Sequence, residues 1–241
     1  YHIFGADERS QLRELTQRVL NHKLAGLIFA YDLDIFQGTP ILEEPYVPRL
    51  RIGKGQYGVP GVGGDDILDP LPLYRMALDY FAQRGRKRVA TIFNAQYPAD
   101  LAHNPFAEIT ARLGLETRPW WIQGFPAFGL PEHAERIAQL MTQGGPGQRP
   151  DALYIADDNM VPHATCGLKA MGLQIPEDLE VVAHANFPWP THCHVPARRI
   201  GYDVGQVVEA AIDAVEDLRR GLPVKERCIT ARWEEGSQCG A

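Results

Sequence analysis

An α/β fold built on parallel sheets is predicted by three features of the sequence. Apolar segments of strand length alternate with amphipathic segments of helix length along most of the chain. The strand-like runs are continuously apolar, as in Leu27-Ile28-Phe29-Ala30, which suits strands buried on both faces. Glycines stand where helical patterns stop, at Gly85, Gly114, Gly172 and Gly221. Alternation at this spacing implies βαβ units with helices on both faces of a sheet.

Ser10–Asn21 carries Leu12, Leu15, Val19 and Leu20 at helical spacing, with Asp7 or Ser10 as N-cap. Gly26 and the strand Leu27–Ala30 follow. Leu73–Arg84 is the next helix, with Met76, Ala77, Tyr80 and Phe81 on one side, and Val89–Phe93 the next strand. The unit then recurs as helix Pro105–Leu113 and strand Trp120–Gln123, helix Glu132–Thr142 and strand Ala152–Ala156. Helix Val161–Met171, strand Leu179–Ala183 and the long helix Gly205–Arg219 complete the series. Gly53–Gly64 (GKGQYGVPGVGG) breaks the rhythm; it lacks the spacing of a phosphate-cradling loop and reads as a connecting surface loop.

Composition narrows the functional classes. At 241 residues and 45% hydrophobic, the chain can bury one large core or two smaller ones. Lys plus Arg number 24 and Asp plus Glu 30, a formal charge of −6, which argues against this chain gripping nucleic acid by itself. The longest apolar runs fall short of the ~18 residues a membrane span needs. The sequence opens at Tyr1 with no signal-peptide pattern, so a piece of a longer or processed protein is expected. Cys166, Cys193, Cys228 and Cys239 show no CxxC spacing; reduced cytoplasmic thiols are the expectation, with a Cys193–Cys228 disulfide left open.

Three segments carry a resemblance. Asp151–Asn186 joins a strand ending in Ala156-Asp157-Asp158 to a helix opening near Met160, the turn Gly172-Leu173-Gln174-Ile175-Pro176-Glu177-Asp178, and the strand Val181-Val182-Ala183-His184-Ala185. Upstream stands Gly85-Arg86-Lys87-Arg88-Val89-Ala90, and downstream Ile200-Gly201 within Pro196–Gly221. In order and spacing these resemble the effector-binding module of the LacI/GalR family of transcriptional regulators, over nearly the whole chain.

The resemblance implies a type I periplasmic-binding-protein-like fold: two Rossmann-like lobes with parallel sheets, joined by three crossings, with a small-molecule effector in the cleft. The crossings would fall near Asn94–Pro98, Phe187–Thr191 and Gly221–Lys225. Lobe one would hold 1–94 plus 192–220, with a first strand and helix missing; lobe two would hold 98–188 plus 225–241. It further implies a cytoplasmic homodimer that reaches DNA through a segment absent from this chain, and no membrane partner. A periplasmic solute-binding protein of a transporter is the alternative.

The ligand, a sugar or sugar derivative, would be held by polar groups at strand ends. Asp157 takes the place of the family's ligand-contacting Asn, and Asp158 that of the following Asp, whose plain role is capping the next helix. Asp69, before Pro70, is either an N-cap or a ligand contact. Tyr31, Asp32, Asn94 and Gln96 end strands at the cleft edge, and Phe125 or Phe128 offers a stacking face or packs in the core. Two departures stand out: the family's Arg falls at about Ala102 and its ligand Asp at Ala185. His184, Asn186 and His103 are then the candidates for replacement contacts.

Other chemistry is thinly supported. His192 and His194 could share one face of an extended segment, but nothing fixes a third ligand, so no metal is expected. Cys166 and His163 lie three apart on a helix without a third, orienting group. No catalytic residue and no cofactor are expected, and the chain reads as a binding module rather than an enzyme.

Overall fold

The computed structural model describes residues 8–30, 33–63, 71–95, 104–126, 130–225 and 227–235. The elements are mixed α/β, as expected, and the strands of the described residues fall into two sheets, one of three strands and one of six. The chain divides into two compact units, Tyr1–Asp69 with Gly205–Thr230, and Pro70–Val204 with Ala231–Ala241.

The first unit holds helix α1 (Glu8–Leu20), strand β1 (Leu27–Phe29), the short helix α2 (Pro40–Glu43), and strands β2 (Arg49–Ile52) and β3 (Gly61–Val62). All pairings are parallel, with Ile28 beside Leu50 and Ile52 beside Val62. Val19, Phe29, Leu33, Ile41, Val47 and Val59 form its core, with Leu12 and Leu15 of α1 packed against them. Helix α7 (Val204–Arg219) belongs to this unit from Gly205 onward and buries Val207, Ala210, Ala211, Ala214 and Val215. The Gly-rich stretch is more ordered than a plain connecting loop. It contains β3, because Gly61 lets two backbones meet: a Cβ there would lie 2.0 Å from the Gly53 carbonyl.

The second unit runs from α3 (Leu71–Gln83) to β4 (Val89–Asn94), α4 (Phe106–Arg112), β5 (Ile122–Phe125), α5 (His133–Met141) and β6 (Ala152–Ile155). Helix α6 (Val161–Ala170), β7 (Glu180–Phe187), β8 (Arg198–Asp203) and, after α7, β9 (Arg232–Trp233) complete it. Strands β4 to β8 are parallel, and β9 is an antiparallel edge. Ala90, Ile92, Leu153, Ile155, Val181 and Ala183 pack against Ala134, Ala138 and Met141 of α5 and Val161, Ala164 and Leu168 of α6. The alternate residues face the other layer, where Tyr74 of α3 meets Phe106 of α4 and Tyr154 of β6, ring centroids 5.5 Å apart in each case. At the β8–β9 edge, the Arg198 guanidinium lies 4.8 Å from the Tyr80 ring and 4.5 Å from the Trp233 ring.

The unit boundaries differ from the expected lobes, 1–94 plus 192–220 and 98–188 plus 225–241. The chain passes between units after Asp69, Val204 and Thr230. Residues 70–94 fall in the second unit because β4 pairs with β5 and β6, and residues 192–204 because β8 pairs with β7 along its whole length. The expected strand Trp120–Gln123 is also displaced. Pro119–Trp121 forms a 3-10 turn, and the strand begins at Ile122. The Trp121 ring is buried at the foot of the sheet with the Arg118 guanidinium 4.5 Å from its centroid, which holds the chain out of register before β5.

Candidate functional site

Open parallel sheets hold ligands outside the carboxyl ends of their strands, where the strand order reverses. In the second unit that point lies between β4 and β6, since the chain steps from β4 to β5 on one side and returns to β6 on the other. Register places Ile92 beside Ile155 and Ile155 beside Ala183. Asn94 ends β4, Asp157 follows β6, and His184, one residue past Ala183 on β7, stands level with them at the carboxyl edge of the three neighbouring strands.

The polar groups at this edge form two hydrogen-bonded pairs next to one another. The Asn186 amide donates to the Asp158 carboxylate at 2.6 Å. The Asp157 carboxylate accepts from the Asn159 backbone N–H at 2.9 Å and from the Asn159 amide at 3.0 Å, closing a turn that stiffens the exit from β6. Neither aspartate side chain caps α6, whose N-cap position is Met160 with no side-chain cap bond; Asp158 is engaged by Asn186 instead. His184 and Asn186 share one face of β7, and Ala185, fully buried, points to the other. The family's aspartate position is thus turned into the core, opposite Gly201, where an added Cβ would lie 1.7 Å from the Ala185 carbonyl.

Burial sets the charges. Desolvation raises the Asp157 pKa and the Asp158 charge raises it further, while the Asn159 hydrogen bonds and the nearby His184 oppose the shift. Desolvation lowers the His184 pKa against the pull of Asp158 and Asp157, so the imidazole is held neutral. Among the described residues, neither His184 ring nitrogen nor the Tyr154 hydroxyl, all buried, has a hydrogen-bond partner. Burial pushes the Tyr154 pKa well up, with Tyr74, Tyr202 and Asp157 adding to it. A neutral imidazole supplies one donor and one acceptor, and a phenol supplies both, so this edge can bind a ligand that offers and takes hydrogen bonds together. Unpaired buried polar atoms of this kind cost free energy until something satisfies them.

Of the sequence-derived candidates, Asp157, His184 and Asn186 come together. Asn94 and Phe125 stand side by side at the ends of β4 and β5, and Phe125 packs on the core with its centroid 6.3 Å from that of His133. Tyr31, Asp32, Asp69 and Gln96, like His103 and Phe128, lie outside the described residues. Tyr154 was not anticipated: in the apolar run Ala152–Ile155 it reads as a core aromatic, and only the partnerless hydroxyl distinguishes it. The His192 and His194 rings stand edge-on at 4.6 Å, and among the described residues no group of three or more His, Cys, Asp or Glu is placed to hold a metal ion. No helix of the described residues is long and apolar enough to cross a membrane.

A family model described as a periplasmic binding protein-like domain matches residues 78–233. The HTH-type transcriptional repressor PurR of Erwinia tasmaniensis is 29% identical over 137 residues, which are 51% of this chain and 37% of that repressor. The chain thus matches well under half the length of this curated relative. Among solved structures, the transcription regulator CcpA of Lactococcus lactis superposes with a TM-score of 0.72 at 14% identity, covering 95% of this chain and 83% of that one. A LacI family transcriptional regulator from Lactobacillus casei with bound sucrose gives 0.70 at 16% identity, covering 95% and 83%. At such identities the structural likeness speaks for the fold alone.

Proposed function

The chain belongs to the periplasmic binding protein-like domain family, and we propose that it is the effector-binding module of a LacI/GalR-type transcriptional regulator. The observation that carries the reading is the set of partnerless polar atoms, Tyr154 hydroxyl and both His184 nitrogens, beside Asp157 at the strand-order reversal. Such an edge suits a small polyhydroxylated effector, a sugar or sugar derivative. Each hydroxyl of a sugar donates and accepts, and the Asp157 and Asp158 carboxylates can accept from two.

Binding would favour one arrangement of the two units through its differential affinity for it. In a homodimer that change would reach DNA-binding segments carried elsewhere in the protein. On this reading the protein works in the cytoplasm and turns over no substrate. The matched relatives are repressors, so a transporter's solute-binding protein is not the favoured reading.

Calorimetry with a panel of mono- and disaccharides, sugar phosphates, nucleosides and purines tests the proposal. One class should bind, and Asp157→Asn should weaken it at least about tenfold, the loss of one charge-assisted hydrogen bond. The full-length protein should then change its operator affinity with the same compound. If no class binds, or if Asp157→Asn and His184→Phe leave binding untouched, the assignment of this edge fails.

A further inference from the structure

We propose that the first unit carries a small-molecule site of its own, at the amino ends of its strands, which takes a planar aromatic anion. Residues Leu24 and Ala25 before β1, Pro48 and Arg49 at β2, and Pro60 before β3 line one cavity of about 820 Å³ with the last turn of α7. This is the opposite end from the one where parallel sheets ordinarily hold ligands, so the site needs its own evidence.

That evidence is in the backbone. Among the described residues only two other than glycine have positive φ, His22 at 51° and Tyr57 at 50°, and both line this cavity. His22 ends α1 in a Schellman motif: its N–H donates to the Val19 carbonyl and that of Lys23 to the Arg18 carbonyl, each at 3.0 Å. The same position after α3, α4 and α7 is held by Gly85, Gly114 and Gly221. Tyr57 and Gly58 are the central residues of a two-residue turn closed by Gln56 and Val59, both with positive φ, where Asn-Gly is the favoured pair. Bulky L-residues are disfavoured in this conformation. Strain at two sequence-distant positions that converge on one cavity is the pattern of a ligand site.

The walls define the ligand. The Tyr57 hydroxyl donates to Asp34 at 2.5 Å, which fixes its ring. His22 and Tyr46 meet edge-on at 5.6 Å, and Tyr46 is 78% exposed, so its ring is open to a stacking partner. Among the described residues no Asp or Glu lines the cavity, whereas Arg49 and Arg219 do. Arg49 donates to the carbonyls of Ile41 at 2.6 Å, Val47 at 3.0 Å, Pro40 at 3.5 Å and also Glu44, with the Glu44 charge acting on it. Arg219 has no ion pair among the described residues and can meet an anion at the rim. Aromatic faces with fixed positive charge select a flat ring that bears a carboxylate or phosphate.

The experiment titrates adenosine 5′-monophosphate against adenosine, and 4-hydroxybenzoate against phenol, followed by NMR shifts and calorimetry. At least one anion should bind with a Kd of about 1 mM or tighter and its neutral partner at least about fivefold weaker. Arg219→Glu should erase that difference, and Tyr46→Ala and Tyr57→Ala should each weaken the anion about tenfold. His22→Gly should weaken binding while leaving the thermal midpoint at or above the parent's. Asp157→Asn, in the other unit, should lose effector binding there and leave the affinity for this anion as it was. The proposal is overturned if no anion binds with a Kd of about 1 mM or tighter. It is equally overturned if binding survives Arg219→Glu with its preference intact, or is lost in Asp157→Asn.

Discussion

Replacing Gly201 by alanine adds one methyl group opposite the strand that carries His184 and Asn186. The new Cβ would lie 1.7 Å from the Ala185 carbonyl oxygen, 2.8 Å from its carbon and 3.2 Å from its nitrogen. All three are backbone atoms of the registered partner, so no side chain can rotate away. Strands pair about 4.8 Å apart, and restoring ordinary contact requires β8 to retreat by more than an ångström at this pair. That weakens two or three ladder hydrogen bonds at about 1 kcal/mol each and disturbs the packing of Ile200 and Tyr202. The expected loss is about 3–5 kcal/mol, a large part of a domain's usual stability. Gly85→Ala in the same unit is the control. Gly85 has φ 75° but nothing within 4 Å of its Cβ position, so only the backbone preference acts, about 1 kcal/mol. Urea unfolding of both variants, compared at matched m-values, measures the difference. Equal midpoints for the two would refute the close-approach reasoning and with it the claim that Gly201 sets the spacing of the site strand.

Two further outcomes follow from the second unit. Because the folded state lowers the His184 pKa below its ordinary 6.5, the unfolded chain binds the extra proton first, and stability should fall as pH drops below about 6.5. Asp157, with a raised pKa, acts in the opposite sense nearer the carboxylate range. His184→Gln should therefore flatten the thermal midpoint between pH 6.5 and about 5 while matching the parent's slope at pH 8; parallel profiles throughout would remove His184 as the source. Glu180 is only 5% exposed, accepts from Tyr80 at 2.8 Å and pairs with Arg86 at 3.1 Å. Glu180→Ala should cost about 2–4 kcal/mol in chemical denaturation, moderated because Arg86 keeps the Pro176 carbonyl at 2.6 Å, and a loss under 1 kcal/mol would show the pair to be dispensable.

The strand–helix order was readable because apolar runs and glycine stops are local signals. Ala152–Ile155 and Val161–Ala170 stand within a residue of their expected bounds. Sheet membership was not readable, since β4 looks like any buried strand and only its partners assign it to the second unit, and β8, within the segment Pro196–Gly221 that the resemblance gives to a returning helix, was not expected as a strand. At the site, Asp157 was reached through the position it shares with the family's ligand-contacting Asn, and Asn186 as a replacement contact near Ala185. His184 came the same way, but its partnerless nitrogens did not, because they depend on what the opposite layer fails to supply. Tyr57 and His22 escaped notice for a different reason: a tyrosine and a histidine carry no sequence mark of positive φ, which glycine and asparagine do.

The β8–β9 edge bears on how the chain is made. Two residues, Arg232 and Trp233, cover part of a strand whose outward amides would otherwise template pairing with a neighbouring molecule, and Trp233 is clasped there by Arg198. They are translated only after the whole of α7, so β8 emerges from the ribosome unguarded while the helix behind it is still being synthesised. The interval before those two residues arrive is when nascent copies are most prone to associate edge to edge.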